Sequence, residues 1–213
     1  MKDKLNQNSV WVQRFAMLTN LIMLNVLWLV CCIPAFTAGA ATTAMYHTIF
    51  QYHTQQDDAV LRPFFRAFRA NFKQATILWL IILLIEGLLV FDIVYLISHG
   101  EEIGILFVLI VVMTLVAGIQ AHLFPMIARF DMTTKALLRS AASLMVLHLP
   151  TTLLVLVMNL VPLLVYVYDP MLFLRTGILW LGVWFALVAY LNGKMQLKIW
   201  SKHMPPNNEE SVA

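Results

Sequence analysis

The sequence predicts an all-α membrane fold, a polytopic bundle of about six transmembrane helices, and three observations carry that prediction. The 213 residues are 61% hydrophobic and 12% charged, roughly half the charged share of a soluble domain. Uncharged apolar runs of membrane-crossing length recur along the chain. The cations sit between those runs and form neither a tail nor a stripe. A soluble fold of this length would lack the Asp, Glu, Lys and Arg to cover its surface, so the bilayer is the solvent that the composition suits.

Taken in order, the first run is Phe15–Ile33, uncharged and long enough to cross a hydrocarbon core of ~30 Å as a helix before Pro34 stops it. Ala38–Thr54 follows. It is uncharged but near the lower length limit, and rich in Gly, Ala and Thr. Its spacings Gly39/Thr43 and Ala40/Ala44 let helix backbones approach closely, which predicts a helix buried among its neighbours. Ala75–Ser98, Ile103–Ala128, Ala141–Tyr168 and Leu172–Gly193 complete the set. A re-entrant hairpin stays open for Ala38–Thr54, since irregular backbone is tolerated at membrane depth when protein surrounds it. Ala38-Gly39-Ala40 imitates a signal-peptide cleavage site, but cleavage there would leave the short, uncharged run after Ala40 as the sole route from the outer face to the basic loop at Arg62, so the first run reads as retained. The tail 205–213 reads as short and disordered.

Cytoplasmic flanks collect Lys and Arg. The clusters are Lys2, Lys4 and Arg14; Arg62, Arg66, Arg69 and Lys73; Arg129, Lys135 and Arg139; and Lys194, Lys198 and Lys202. Six crossings put thirteen of the fourteen cations on one side, leaving Arg175 outside. Five crossings would strand the N-terminal three. Both termini are therefore expected in the cytoplasm. The outer connections Pro34–Thr37, His99–Glu102 and Asp169–Met171 are too short to form an external domain.

Three stretches resemble the YesL-like family of bacterial membrane proteins: Asn20–Tyr46 (NLIMLNVLWLVCCIPAFTAGAATTAMY), Leu61–Ile81 (LRPFFRAFRANFKQATILWLI) and Leu123–Pro150 (LFPMIARFDMTTKALLRSAASLMVLHLP). The resemblance implies a bacterial plasma-membrane protein whose family genes often neighbour those for sugar-uptake ABC transporters and polysaccharide breakdown. It implies no established activity and supplies no catalytic residues.

Among residues able to carry chemistry, Glu86 falls in the middle of its run, where an ionised carboxylate costs about 2.5–3.5 kcal/mol on the lenient insertion scale. It must be neutral, paired or facing water. Asp92 lies nearer the outer interface. His122 and His148 sit near Pro125 and Pro150, each of which frees a backbone carbonyl that an imidazole can satisfy. A relay joining Glu86 to the two histidines is the sharper alternative. Asn25 and Asn159 read as interhelical hydrogen-bonding residues. His47 and His53, six apart, fall on different helix faces and do not suit a metal pair.

Cys31 and Cys32, adjacent in one apolar run, read as small apolar residues. Nucleophile elbow, phosphate loop, HExxH and CxxC are all missing, so no cofactor, metal or enzyme is expected, and the scattered cations argue against nucleic acid. Trp11, Trp28, Trp79, Trp180, Trp184 and Trp200 read mostly as interfacial anchors.

The segment before the third run places Phe64, Phe68 and Phe72 every four residues, with Arg62, Arg66, Arg69 and Lys73 on much of the remaining surface. This is a cationic amphipathic helix. It lies either in the interface, with Phe in the acyl boundary and cations on anionic headgroups, or on a cytoplasmic partner. The expected function is accessory to oligosaccharide uptake with an ABC permease; a homo-oligomeric small-solute or proton-coupled transporter is the alternative.

Overall fold

The structure, a computed structural model, describes residues 2–55, 60–100 and 103–203; the tail 205–213 lies outside them. Every regular element among the described residues is helical. In chain order these are α1 (Lys2–Cys32), a 3-10 turn (Ala35–Thr37), α2 (Ala38–Gln55), α3 (Leu61–His99), α4 (Ile103–Arg129), α5 (Thr134–Leu147), α6 (Leu149–Tyr168), α7 (Pro170–Arg175), α8 (Gly177–Leu179), a π-helical turn (Trp180–Trp184) and α9 (Phe185–His203). The fold is the expected all-α polytopic bundle. Five stretches, in α1, α3, α4, α6 and the run from α8 into α9, are long and apolar enough to cross a membrane.

Three boundaries differ from the sequence reading, two of them breaks inside a predicted span. The stretch Ala141–Tyr168 is not one helix, because the chain breaks at His148 (φ −121°, ψ 43°) just ahead of Pro150. A proline excludes the helical conformation from the residue before it less strictly than it removes its own N–H; here the break falls two residues upstream. The stretch beginning at Leu172 is likewise interrupted at Thr176. There Asp169 caps α7, its carboxylate accepting from the N–H groups of Met171 and Leu172 at 2.9 and 3.1 Å. Asp-Pro at a helix start combines a side-chain acceptor with a residue that needs no donor.

The bundle is turned inside out relative to a soluble protein. Leu84, Phe91, Ile97, Phe107, Val157 and Leu164 are exposed, while Asn25, Thr43, His122, Thr152, Asn192 and Gln196 are buried. In lipid, burying one more leucine gains little, so close packing and interhelical hydrogen bonds hold the helices together. On α1 the exposed apolar residues Phe15, Leu18, Ile22, Val26 and Val30 recur at helical spacing, forming one stripe.

The short α2 is the packing centre. Ala40, Ala41, Thr43 and Ala44 are fully enclosed, as the small-residue spacing predicts. Gly39 lies so close to α3 that an added Cβ would fall 2.4 Å from Trp79 Cβ and 2.7 Å from the Ala75 carbonyl. Only glycine fits. This contact sets a register that differs from full crossing, in which Gly39 would face the outer end of α3 near Ser98. Instead α2 runs antiparallel along the first half of α3, the half that carries the cations. The turn ahead of α2 is satisfied by protein: Trp79 Nε1–H donates to the Ala35 carbonyl at 2.8 Å, and the Thr37 hydroxyl donates to the carbonyls of Cys31 and Pro34.

The third predicted run also starts earlier than its apolar part. α3 is continuous over 39 residues, about 58 Å at 1.5 Å per residue, so the cationic segment and the apolar run form a single rod. It ends at Gly100, whose φ of 69° gives a left-handed cap with its N–H on the Leu96 carbonyl.

Candidate functional site

A buried polar centre lies where α2, α4, α6 and α9 meet, and Pro125 is its origin. Proline has no N–H, so the Ala121 carbonyl four residues earlier loses its helical partner. Two side chains of α9 take over that carbonyl: Asn192 Nδ2 donates at 3.0 Å and Gln196 Nε2 at 3.5 Å. Spaced four apart, they share one helix face.

Because a carbonyl only accepts, Ala121 fixes the orientation of both amides. Gln196 Nε2 therefore also donates to His122 Nδ1, at 2.8 Å. That ring nitrogen is then the acceptor, the proton resides on Nε2, and Nε2–H donates to the Thr152 hydroxyl at 2.8 Å. Thr152 passes its own proton to the His148 or Met145 carbonyl, at 3.2 and 3.3 Å. On the other side Asn192 Nδ2 donates to the Tyr46 hydroxyl at 2.8 Å. The result is a chain of polar groups that ties four helices and engages both ring nitrogens of His122. The Gln196 Oε1 acceptor is the exception, buried with no protein partner.

The sequence-predicted candidates distribute as follows. His122 belongs to this centre, although the carbonyl freed by its neighbouring proline is satisfied by α9 and not by the imidazole. His148 sits at the α5–α6 break, contributing its carbonyl to Thr152. Glu86 is half-buried on α3 and accepts a hydrogen bond from Gln120 of α4. This pairs the carboxylate locally, and no hydrogen bond among the described residues joins it to His122 or His148. The relay geometry is therefore not assembled in this conformation. Asn192, Gln196, Tyr46, Thr152 and Gln120 belong to no motif in the sequence; the Asn-x-x-x-Gln spacing of α9 is the one signal that points to any of them.

Asn25 does act between helices. Its Nδ2 donates to the Leu181 carbonyl at 2.7 Å and its Oδ1 accepts from the Ala186 N–H at 2.9 Å. These are the backbone groups separated by the π-helical turn of Trp180–Trp184. The side-chain amide replaces the missing peptide partner on both sides. Asn159 by contrast bonds to the Val155 carbonyl of its own helix. His47 Nδ1–H donates to the Ala128 carbonyl at 3.0 Å, joining α2 to the end of α4. Several tryptophans act inward and not as interfacial anchors: Trp180 and Trp200 are buried, and Trp28 donates to Thr42.

The cationic candidates lie at the other kind of site, an exposed one. Arg62, Arg66, Arg69 and Lys73 are all exposed on α3 and make no ion pair with another described residue. Phe64 is fully buried and Phe68 half-buried, with Phe65 and Phe72 left outside. Phe64 and Phe68 thus pack against protein, which corrects their placement in the acyl boundary, while Leu61, Phe65 and Phe72 remain exposed.

Gln74, next to Lys73, donates to the Met132 carbonyl and the Thr134 hydroxyl, and so fastens the α4–α5 corner to α3. Trp200 of α9 packs edge-on against Phe130 of that corner, at 5.0 Å, and against Phe50 of α2, at 5.4 Å. Exposed Lys135 and Arg139, and the exposed Lys194, Lys198 and Lys202 stripe, are thereby gathered round the same end of the bundle as the α3 arginines.

A family model described as "Protein of unknown function, DUF624" matches residues 21–93. YesL-like proteins are the known membership of that family, so the match bears out the resemblance over Asn20–Tyr46 and Leu61–Ile81. It covers about a third of the chain, and Leu123–Pro150 lies beyond it. No curated protein and no solved structure matches the chain.

Proposed function

We propose that this is a non-enzymatic, multi-pass protein of a bacterial plasma membrane that supports oligosaccharide uptake by docking on an ABC sugar permease through its basic end. The carbohydrate connection comes from the family resemblance. The observation that supports an accessory role is the division of polar groups: the centre around His122 is bonded largely within the bundle, whereas the cations at one end are exposed. In this reading the basic end and both termini are cytoplasmic, because Lys and Arg are retained on that side.

A small-solute or proton-coupled transporter is the second reading, favoured by Glu86 half-buried in an apolar helix. Against it stands the closure of the polar centre, where His122 has both ring nitrogens engaged. Deleting the gene and measuring uptake of labelled oligosaccharides tests the proposal. Reduced uptake, restored by the wild-type gene but not by a copy with Arg62, Arg66 and Arg69 changed to Glu, is the expected result. Unchanged uptake of every glycan tested contradicts it.

A further inference from the structure

An amide inside an apolar run needs a partner, and the two asparagines in the apolar part of α1 find theirs differently. Asn25 meets backbone groups on both sides of the π-helical turn, and Trp28 donates to Thr42 of α2, so hydrogen bonds tie the second half of α1 to its neighbours. In the first half, Thr19 bonds back to the Phe15 carbonyl of its own helix at 3.0 Å. Asn20 is half-buried there, and its Nδ2 is enclosed without a protein partner. A buried donor left unmet is costly, and native structures keep few of them without a bound guest.

Asn20 lines a cavity between α1, α2 and α9. Leu21 and Leu24 of α1, Thr48 and Tyr52 of α2, and Tyr190 of α9 line it as well. The room open to the centre of a water-sized sphere is ≈ 20 Å³. That exceeds the roughly 10–15 Å³ that one water needs and falls short of two. Thr48 is buried, and its hydroxyl gives its own proton to the Ala44 carbonyl at 2.9 Å, which leaves oxygen lone pairs able to accept. A donor on α1 and an acceptor on α2 thus line one cavity, with no hydrogen bond directly between them.

We infer that this cavity is a binding site for one water molecule, which accepts from Asn20, donates to Thr48 and so fastens the first half of α1 to α2. Volume and chemistry select water over a lipid. An acyl chain would leave Asn20 unmet, and a lipid carbonyl, which only accepts, would leave Thr48 unused. Water also suits either orientation of the Asn20 amide, since it donates as readily as it accepts. Between helices in lipid, where apolar burial gains little, a bridging water acts nearly as a direct hydrogen bond does. The site is independent of the basic end and of any role in uptake.

The direct test is a density map of the full-length protein in nanodiscs, at a resolution that shows ordered solvent. One rounded peak about 2.7–3.2 Å from both the Asn20 amide and Thr48 Oγ1 is expected. No peak there, or a tube of density entering from the lipid, overturns the inference. Unfolding midpoints in mild detergent give a second readout. Asn20→Leu removes the donor at similar volume, and Thr48→Val keeps the shape but removes the acceptor. Each alone should lower the midpoint. Made together, the second change should lower it by less than about half of what it does alone, because either change releases the same water. Asn20→Leu should lower the midpoint as much in a Thr48→Ser background as in wild type, since serine keeps the acceptor. Full additivity of Asn20→Leu with Thr48→Val overturns the inference, as does an Asn20→Leu effect that Thr48→Ser diminishes as much as Thr48→Val does.

Discussion

Asn25 does the work that a peptide group would otherwise do. The π-helical turn at Trp180–Trp184 separates the Leu181 carbonyl from the Ala186 N–H, and the Asn25 amide meets both. In hydrocarbon neither group finds water, so each unsatisfied one costs about 1–3 kcal/mol. Asn25→Leu is therefore expected to lower the thermal unfolding midpoint in mild detergent and to reduce membrane abundance. An unfolding midpoint equal to wild type would show that the turn closes without Asn25. That Asn25 bridges helices was legible in the sequence, since an amide inside an uncharged run has little else to do. Its partner was not legible, because a π-helical turn just ahead of α9 leaves no mark in apolar periodicity. His122 illustrates the same limit. Its burial near Pro125 could be read, but the hydrogen bonds that fix its tautomer come from α6 and α9, far along the chain.

Element boundaries were read well where composition changes sharply and less well where it does not. The apolar part of α3 was evident, yet its fusion to the cationic segment was not, because no residue between Pro63 and Gly87 marks where a helix should stop or continue. The break at His148 was hidden inside an apolar stretch that reads as one span. For α2 the small-residue spacing gave burial correctly, but the register against α3 needed the contact of Gly39 with Trp79 and Ala75. Gly39→Ala introduces a Cβ with no room, and overpacking of this kind costs typically 1–3 kcal/mol. Gly87, on the same long helix as Trp79, has nothing within 4 Å of an added Cβ. Gly39→Ala should thus lower stability in detergent clearly, while Gly87→Ala should be neutral or slightly stabilising. Equal midpoints for the two variants would mean that α2 can slide on α3.

At the scale of the whole molecule, the bundle joins a hydrogen-bonded polar centre to an exposed basic end. The segments that supply that end are remote in sequence: α3, the α4–α5 corner and α9. The cation clusters were legible one by one and predicted to share a side, but their convergence depends on Gln74, Phe130 and Trp200, whose roles only the folded chain reveals. One-sided cations require an even number of crossings, whereas the register of α2 departs from that of a full crossing beside α3. The sidedness of the basic end is accordingly the claim on which the docking proposal depends. The direct measurement is impermeant-thiol labelling of intact cells, with Cys31 and Cys32 changed to Ala and one new cysteine at Arg66, Lys135, Lys198 or His99. Position 99 should label from outside, and positions 66, 135 and 198 only after permeabilisation. Labelling of 66, 135 or 198 in intact cells at the rate seen for 99 would contradict a single cytoplasmic basic end.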